Sequence, residues 1–170
     1  AAAGEVGEIL VRGPQVTRGY HARPEADAAA KVAFPDGTFG HRMGDLGRFD
    51  AYGRLWFYGR KSQRVETSKG PLYTDCVEGI FNAHPKVRRS ALIGLGERGA
   101  QRPFVVVEPE PAHWKSGDLR GELLDLAACH ESTKCIEDVL FHISLPVDIR
   151  HNAKIQREKL AEWAALELKG

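Results

Sequence analysis

Apolar residues fall in short runs separated by glycine, proline and acidic turns, and the spacing inside each run predicts an element. Glu8-Ile-Leu-Val-Arg-Gly13 is a brief apolar stretch closed by Gly13 and Pro14, the pattern of a strand entering a loop. It begins too abruptly to open a domain. Pro24 to Val32 reads as a short helix, with proline in its first turn, acids early and a lysine late, as the helix dipole favours. Pro35-Asp36-Gly37 and Asp50-Ala-Tyr-Gly53 both have turn chemistry. The aromatic-rich Arg54-Leu-Trp-Phe-Tyr58 after the second turn has strand composition, so a hairpin is predicted with Trp56 and Phe57 in its core.

Beyond Arg60 the pattern changes. Asp75 to His84 places Val77, Ile80 and Phe81 on one helical face, and His84-Pro85 stops it. Ser90 to Leu95 and Phe104 to Glu108 read as strands, with Arg88-Arg89 a solvated pair where the first one starts. Asp118 to His130 is an amphipathic helix turning Leu119, Leu123, Leu126 and Ala127 inward. Val139 to Ser144 is a third strand, on which His142 alternates with Phe141 and Ile143 and faces solvent, and Ile155 to Leu168 is a closing helix. Intermixed strands and helices over this length predict an α+β unit, a short sheet packed by helices. A boundary near Arg60 then divides a β-rich piece, residues 1–59, from a second unit, residues 60–170.

Composition narrows the function classes. The 170 residues are 42% apolar and 28% charged, as in soluble globular proteins, and hold no apolar run long enough for a transmembrane segment. Ala1 to Gly7 has neither a basic start nor an apolar stretch, so export is not expected and a cytoplasmic location is. A formal charge of +1 argues against non-specific binding of nucleic acid and favours small molecules or proteins as partners. Cys76, Cys129 and Cys135 are odd in number and lack CxxC spacing, which supports neither a disulfide framework nor a metal site.

Three clusters could carry chemistry. Leu145 to Arg157, read as a loop, gathers Arg150, His151, Lys154 and Arg157. Its Asn152 tolerates a left-handed backbone, so a tight bend could aim Lys154 outward, where an ammonium suits a carboxylate or phosphate oxygen. Composition alone favours a solvated basic surface loop. Phe39-Gly-His-Arg-Met-Gly-Asp-Leu-Gly47 places an acid between glycines just before a strand. Asp45 there could accept two hydrogen bonds from a vicinal diol such as ribose, or be an exposed acid in a glycine turn. Gly59-Arg-Lys-Ser-Gln-Arg-Val65, followed by Ser68-Lys-Gly70, is a polar linker, and such linkers are natural hinges.

In this order and at these intervals, the clusters resemble the adenylate-forming superfamily of acyl-CoA synthetases, luciferases and peptide-synthetase adenylation domains. Gly7-Glu-Ile-Leu-Val-Arg-Gly13 with Gly19-Tyr20 resembles the GE…G…GY segment of the large domain. Met43-Gly44-Asp45 resembles TGD, Gly59-Arg60 the GR that opens the hinge, Glu78 through His84-Pro85 the E…HP helix, and Ala153-Lys154 with Arg157 the GK…R near the C-terminus. Arg42-Met-Gly-Asp-Leu-Gly47, Arg54-Leu-Trp-Phe-Tyr-Gly-Arg60 and Arg150-His-Asn-Ala-Lys154 are also similar to the β-lactone-forming synthetases of bacterial long-chain olefin biosynthesis.

The resemblance implies that residues 1–59 end a large AMP-binding domain and that residues 60–170 are a mobile lid. It implies catalysis by Lys154, nucleotide binding by Asp45 and Arg60, a hinge at Lys61 and Ser62, and support from Arg150, His151 and Arg157. The substrates implied are ATP with Mg2+, the ion held outside this stretch, and a long-chain β-hydroxy acid. Partner enzymes of the same pathway, and the N-terminal part of the same protein, are the protein partners implied. An acyl-CoA synthetase is the alternative, with coenzyme A entering past Ser68, Lys69 and Gly70; a non-catalytic binding module is another. Ser62, Met43 and Ala153 depart from the residues usual in the superfamily. No phosphate loop precedes Ala1, so this stretch alone is not expected to turn over ATP.

Overall fold

The computed structural model describes residues 2, 4–114, 117–148 and 151–169, without the side chains of residues 151–153. The chain divides into two compact units, residues 1–62 and 63–170.

The first unit is a four-stranded antiparallel sheet built on one long strand. β1 (Gly7–Arg12) precedes a short helix, α1 (Pro24–Ala30), which runs directly into β2 (Lys31–Ala33). β3 (Phe39–Phe49) pairs with β1 along one edge; the other edge takes β2 near its start and β4 (Leu55–Arg60) near its end. The glycine-rich cluster expected to precede a strand therefore lies inside one. Asp50 builds the β3–β4 turn by accepting hydrogen bonds from Trp56 Nε1 (2.9 Å), Arg54 Nε (2.7 Å) and the backbone N–H groups of Tyr52 and Arg54. The Trp56 bond, with those from Arg54 and Tyr52, lowers the Asp50 carboxyl to about 2. This tether also explains a correction: Trp56 is 51% exposed and Phe57 50%, so they are not the hairpin core. The indole N–H needs a partner, and Asp50 supplies it at the surface.

The second unit opens with a hairpin of β5 (Val65–Thr67) and β6 (Gly70–Leu72), in a stretch that sequence pattern reads as linker. Its tip is closed by Thr67 Oγ1, which donates to Gly70 O (2.7 Å) and accepts from Lys69 N (3.1 Å). Gly70 has φ +119°, a backbone angle that disfavours other residues. The centre of the unit is a three-stranded sheet: β7 (Val87–Leu95) antiparallel to β8 (Arg102–Pro109), which is parallel to β9 (Val139–Phe141).

Alternation along these strands feeds a core on each face. Leu92, Val105, Val107 and Val139 pack with Val77 and Phe81 of α2 (Thr74–Asn82) and with Leu119, Leu123 and Ala127 of α3 (Leu119–Ala128). Ala91, Ile93, Phe104, Val106 and Leu140 pack with Leu160 and Ala164 of α4 (Arg157–Glu167). Two short strands, β10 (Val147–Asp148) and β11 (His151–Ile155), form a hairpin ahead of α4. The expected loop is thus partly strand, and the closing helix begins at Arg157 because Ile155 pairs with Val147.

Glu108 is the next-to-last residue of β8, with its side chain only 1% exposed. Arg88 Nη1 lies 3.0 Å from Oε1, while Arg89 Nε and Leu145 N each donate to Oε2 at 2.7 Å. Both arginines therefore reach a buried carboxylate, Arg88 from an exposed position and Arg89 from a mostly covered one, so only Arg88 is solvated as expected. Burial pushes the Glu108 carboxyl up, but the hydrogen bonds from Arg89 and Leu145 and the nearby arginine charges outweigh it, leaving the pKa below the ordinary value. The alternation predicted around His142 holds for Phe141, which packs on the core, but ends there with β9. Ile143 is 74% exposed, while the His142 ring meets Trp163 edge-on with 4.6 Å between centroids.

Candidate functional site

Register is what places Asp45. On the β1 edge of β3, partners run from Arg42 opposite Leu10 to Leu46 opposite Glu8. Three residues of β3, 43–45, thus lie across from the single Ile9 of β1. On the other edge, β2 stops at His41 and β4 starts at Asp45, leaving 42–44 without a ladder partner on that edge. Met43-Gly44-Asp45 is therefore a bulge, and bulges re-aim side chains next to functional sites. Gly44 permits it with φ +69°.

The β3–β4 register then sets Asp45 opposite Arg60, uniting two motifs that lie fifteen positions apart in the chain. Arg60 Nη1 is 3.1 Å from Asp45 Oδ1 and donates its hydrogen bond to Met43 O, also at 3.1 Å. Asp45 Oδ1 is left as a buried acceptor without a hydrogen bond. A carboxylate with spare acceptor capacity, 18% exposed and flanked by a guanidinium, can take a hydroxyl donor while the arginine faces an anion. Lys61, next in the chain, donates to Glu8 Oε2 (2.9 Å), which Arg42 Nη1 also reaches (3.0 Å). The Lys61 hydrogen bond and the Arg42 contact hold the Glu8 carboxyl below its ordinary value despite the desolvation opposing them. Ser62 is exposed and follows directly.

In the second unit Lys154 lies on β11 with its side chain exposed, and no described residue forms an ion pair with it. Arg157 behaves differently. It turns inward, placing Nη1 2.6 Å and Nη2 3.0 Å from the two carboxylate oxygens of Glu78. The four cations of the Leu145–Arg157 segment are thus not one exposed group. Arg150 and the His151 side chain lie outside the described residues. Ser68 and Lys69, at the β5–β6 tip, line a cavity of about 180 Å³ with Gln101, Arg102, Phe104 and Cys135. Among the described residues no group of three or more His, Cys, Asp or Glu is arranged to hold a metal ion.

Glu8, Gln63 and Glu78 had no role assigned from the sequence. For Glu78 a signal existed: Thr74, Val77 and Phe81 define the inward stripe of α2, and position 78 falls on it. An acid on an apolar face implies a buried partner.

Along nearly its whole length the chain is similar to the C-terminal part of adenylate-forming enzymes. The O-succinylbenzoate coenzyme A synthetase of Bacillus subtilis, solved with AMP, superposes with a TM-score of 0.76 at 26% identity, over 94% of this chain and 31% of that one. The amide bond synthetase of Marinactinospora thermotolerans gives a TM-score of 0.77 at 27% identity, over 96% and 32%. Within this class the sequence is similar to olefin β-lactone synthetases, at 53% identity to that of Stenotrophomonas maltophilia over 98% of this chain. The Xanthomonas campestris olefin β-lactone synthetase is 54% identical over 96%. The chain spans about a third of the length of these relatives, 31% in both cases. No protein-family model matches it. No helix among the described residues is long and apolar enough to cross a membrane.

Proposed function

We propose that this chain is the lid and adjoining sheet of an ATP-dependent, AMP-forming ligase that converts a long-chain β-hydroxy acid to a β-lactone. The observation carrying the reading is the pairing of Asp45 with Arg60 on a bulged strand, together with an exposed lysine displayed by a separate unit. Identity above 50% to olefin β-lactone synthetases supports the product. In this reading residues 1–62 close a nucleotide-binding domain and residues 63–170 are its lid, joined at Lys61 and Ser62.

The chemistry runs in two steps. A carboxylate oxygen of the acid attacks the α-phosphorus of ATP, the P–O bond to the β-phosphate breaks, and pyrophosphate leaves. Asp45 accepts hydrogen bonds from the ribose hydroxyls, and Arg60 offsets phosphate charge beside it. Lys154 brings an ammonium to the reacting oxygens, where charge builds in the transition state. The β-hydroxyl oxygen then attacks the acyl carbon, the acyl–O bond to AMP breaks, and the hydroxyl proton passes to the departing phosphate or to water. Ring closure is intramolecular and gains the advantage of enforced proximity, so no thiol is required.

Product analysis on the full-length enzyme with a β-hydroxy acid and ATP tests this. Lactone should form equally with and without coenzyme A. Thioester formed only when coenzyme A is present would replace the reading with an acyl-CoA synthetase, in which the cavity at Ser68 and Lys69 borders the thiol's path. Asp45→Ala should raise the KM for ATP by about tenfold, the loss of roughly one charge-assisted hydrogen bond, which steady-state kinetics would measure.

A further inference from the structure

Arg157 sits three residues beyond Lys154, yet every nitrogen of its guanidinium is committed to groups far away in the chain. Nη1 and Nη2 meet Glu78 at 2.6 and 3.0 Å, Nη1 also donates to Leu92 O at 3.2 Å, and Nε donates to Gln63 Oε1 at 3.3 Å. Glu78 in turn accepts from Leu92 N at 2.8 Å. The pair is mostly buried, with Arg157 16% and Glu78 13% exposed, and burial raises the Glu78 carboxyl above its ordinary value against the pull of Arg157.

A buried ion pair is a poor device for stability, because well-packed apolar side chains of similar volume do as well or better. It is a good device for fixing geometry, since a planar guanidinium accepts few arrangements of partners. The arrangement here joins two places that matter. Gln63 is the first residue of the second unit, immediately after the hinge residues, and the β10–β11 base is held by Gln156, whose N–H donates to Pro146 O and whose Nε2 donates to Val147 O.

We infer that Arg157 is a positioning residue that, with Glu78 and Gln63, locks the Lys154 strand to the hinge end of its unit. Rotation at Lys61 and Ser62 is then delivered to the ammonium without slack. The inference rests on the proposed role of Lys154 and deepens it.

The test uses the full-length enzyme and ATP–pyrophosphate exchange, with kcat expressed per folded molecule from parallel thermal unfolding. Gln63→Ala and Arg157→Lys should each lower kcat about tenfold with KM for ATP within about twofold, as expected when a catalytic group is displaced by less than an ångström. Gln63→Glu, which keeps an acceptor for Nε, should restore kcat. If Gln63→Ala keeps kcat within about twofold while Lys154→Ala is inactive, the lock is overturned and the role of Lys154 stands. If Lys154→Ala itself retains exchange, that role fails and the lock with it. Should Arg157→Lys not fold, Gln63→Ala decides alone.

Discussion

Replacing Lys154 with alanine in the full-length enzyme should reduce ATP–pyrophosphate exchange by about 10²- to 10³-fold, the usual consequence of removing one preorganised donor at a developing charge. Folding should be unaffected, because the side chain is exposed and no described residue pairs with it. Thermal unfolding of the variant should therefore overlay that of the parent. Exchange within a few-fold of the parent would refute the role. A fall in melting temperature matching the lost activity would transfer the effect from chemistry to structure.

The largest effect on stability should come from Glu108→Ala, at about 3–5 kcal/mol, the range for removing one partner of a buried ion pair. Arg89 would lose its carboxylate and Leu145 N its acceptor. Denaturant titration would measure the loss as a lower midpoint with unchanged slope. Acid provides a second arm. The folded Glu108 pKa is lowered, so its contribution is fully present above the unfolded glutamate value and is lost as pH falls through the lower folded value. Glu108→Gln should therefore be less stable than the parent at neutral pH and flatter against pH below ~4.3. A parent and variant with parallel acid profiles would remove Glu108 from the account.

Much of the second unit is legible from apolar spacing. Val77 and Phe81, Leu119 and Leu123, and the alternating residues of β7 and β8 each mark a buried stripe, and burial follows that stripe in the structure. What spacing misses depends on distant partners. The β5–β6 hairpin has three residues per strand and linker composition; Gln101, 35 positions beyond Glu66, accepts from its N–H and helps fix it. The bulge at Met43-Gly44-Asp45 follows from pairing with β1 and β4, so the motif is visible in the sequence but its geometry is not. Trp56, on an uncovered strand face, and Ile143, beyond the end of β9, have core composition and surface positions, since hydrophobicity alone does not say what is covered. Arg157 counts among neighbouring basic residues in the sequence, whereas in the fold it answers an acid 79 positions away.

Within four consecutive residues the chain holds one cation with no described anchor and one enclosed by its neighbours. Selection meets these two positions by different routes. Under the role proposed for Lys154, a change there alters what each molecule makes while leaving its abundance untouched, because cellular quality control responds to unfolded chains rather than to idle ones. A change at 157 adds the second penalty, lowering the number of molecules that survive triage.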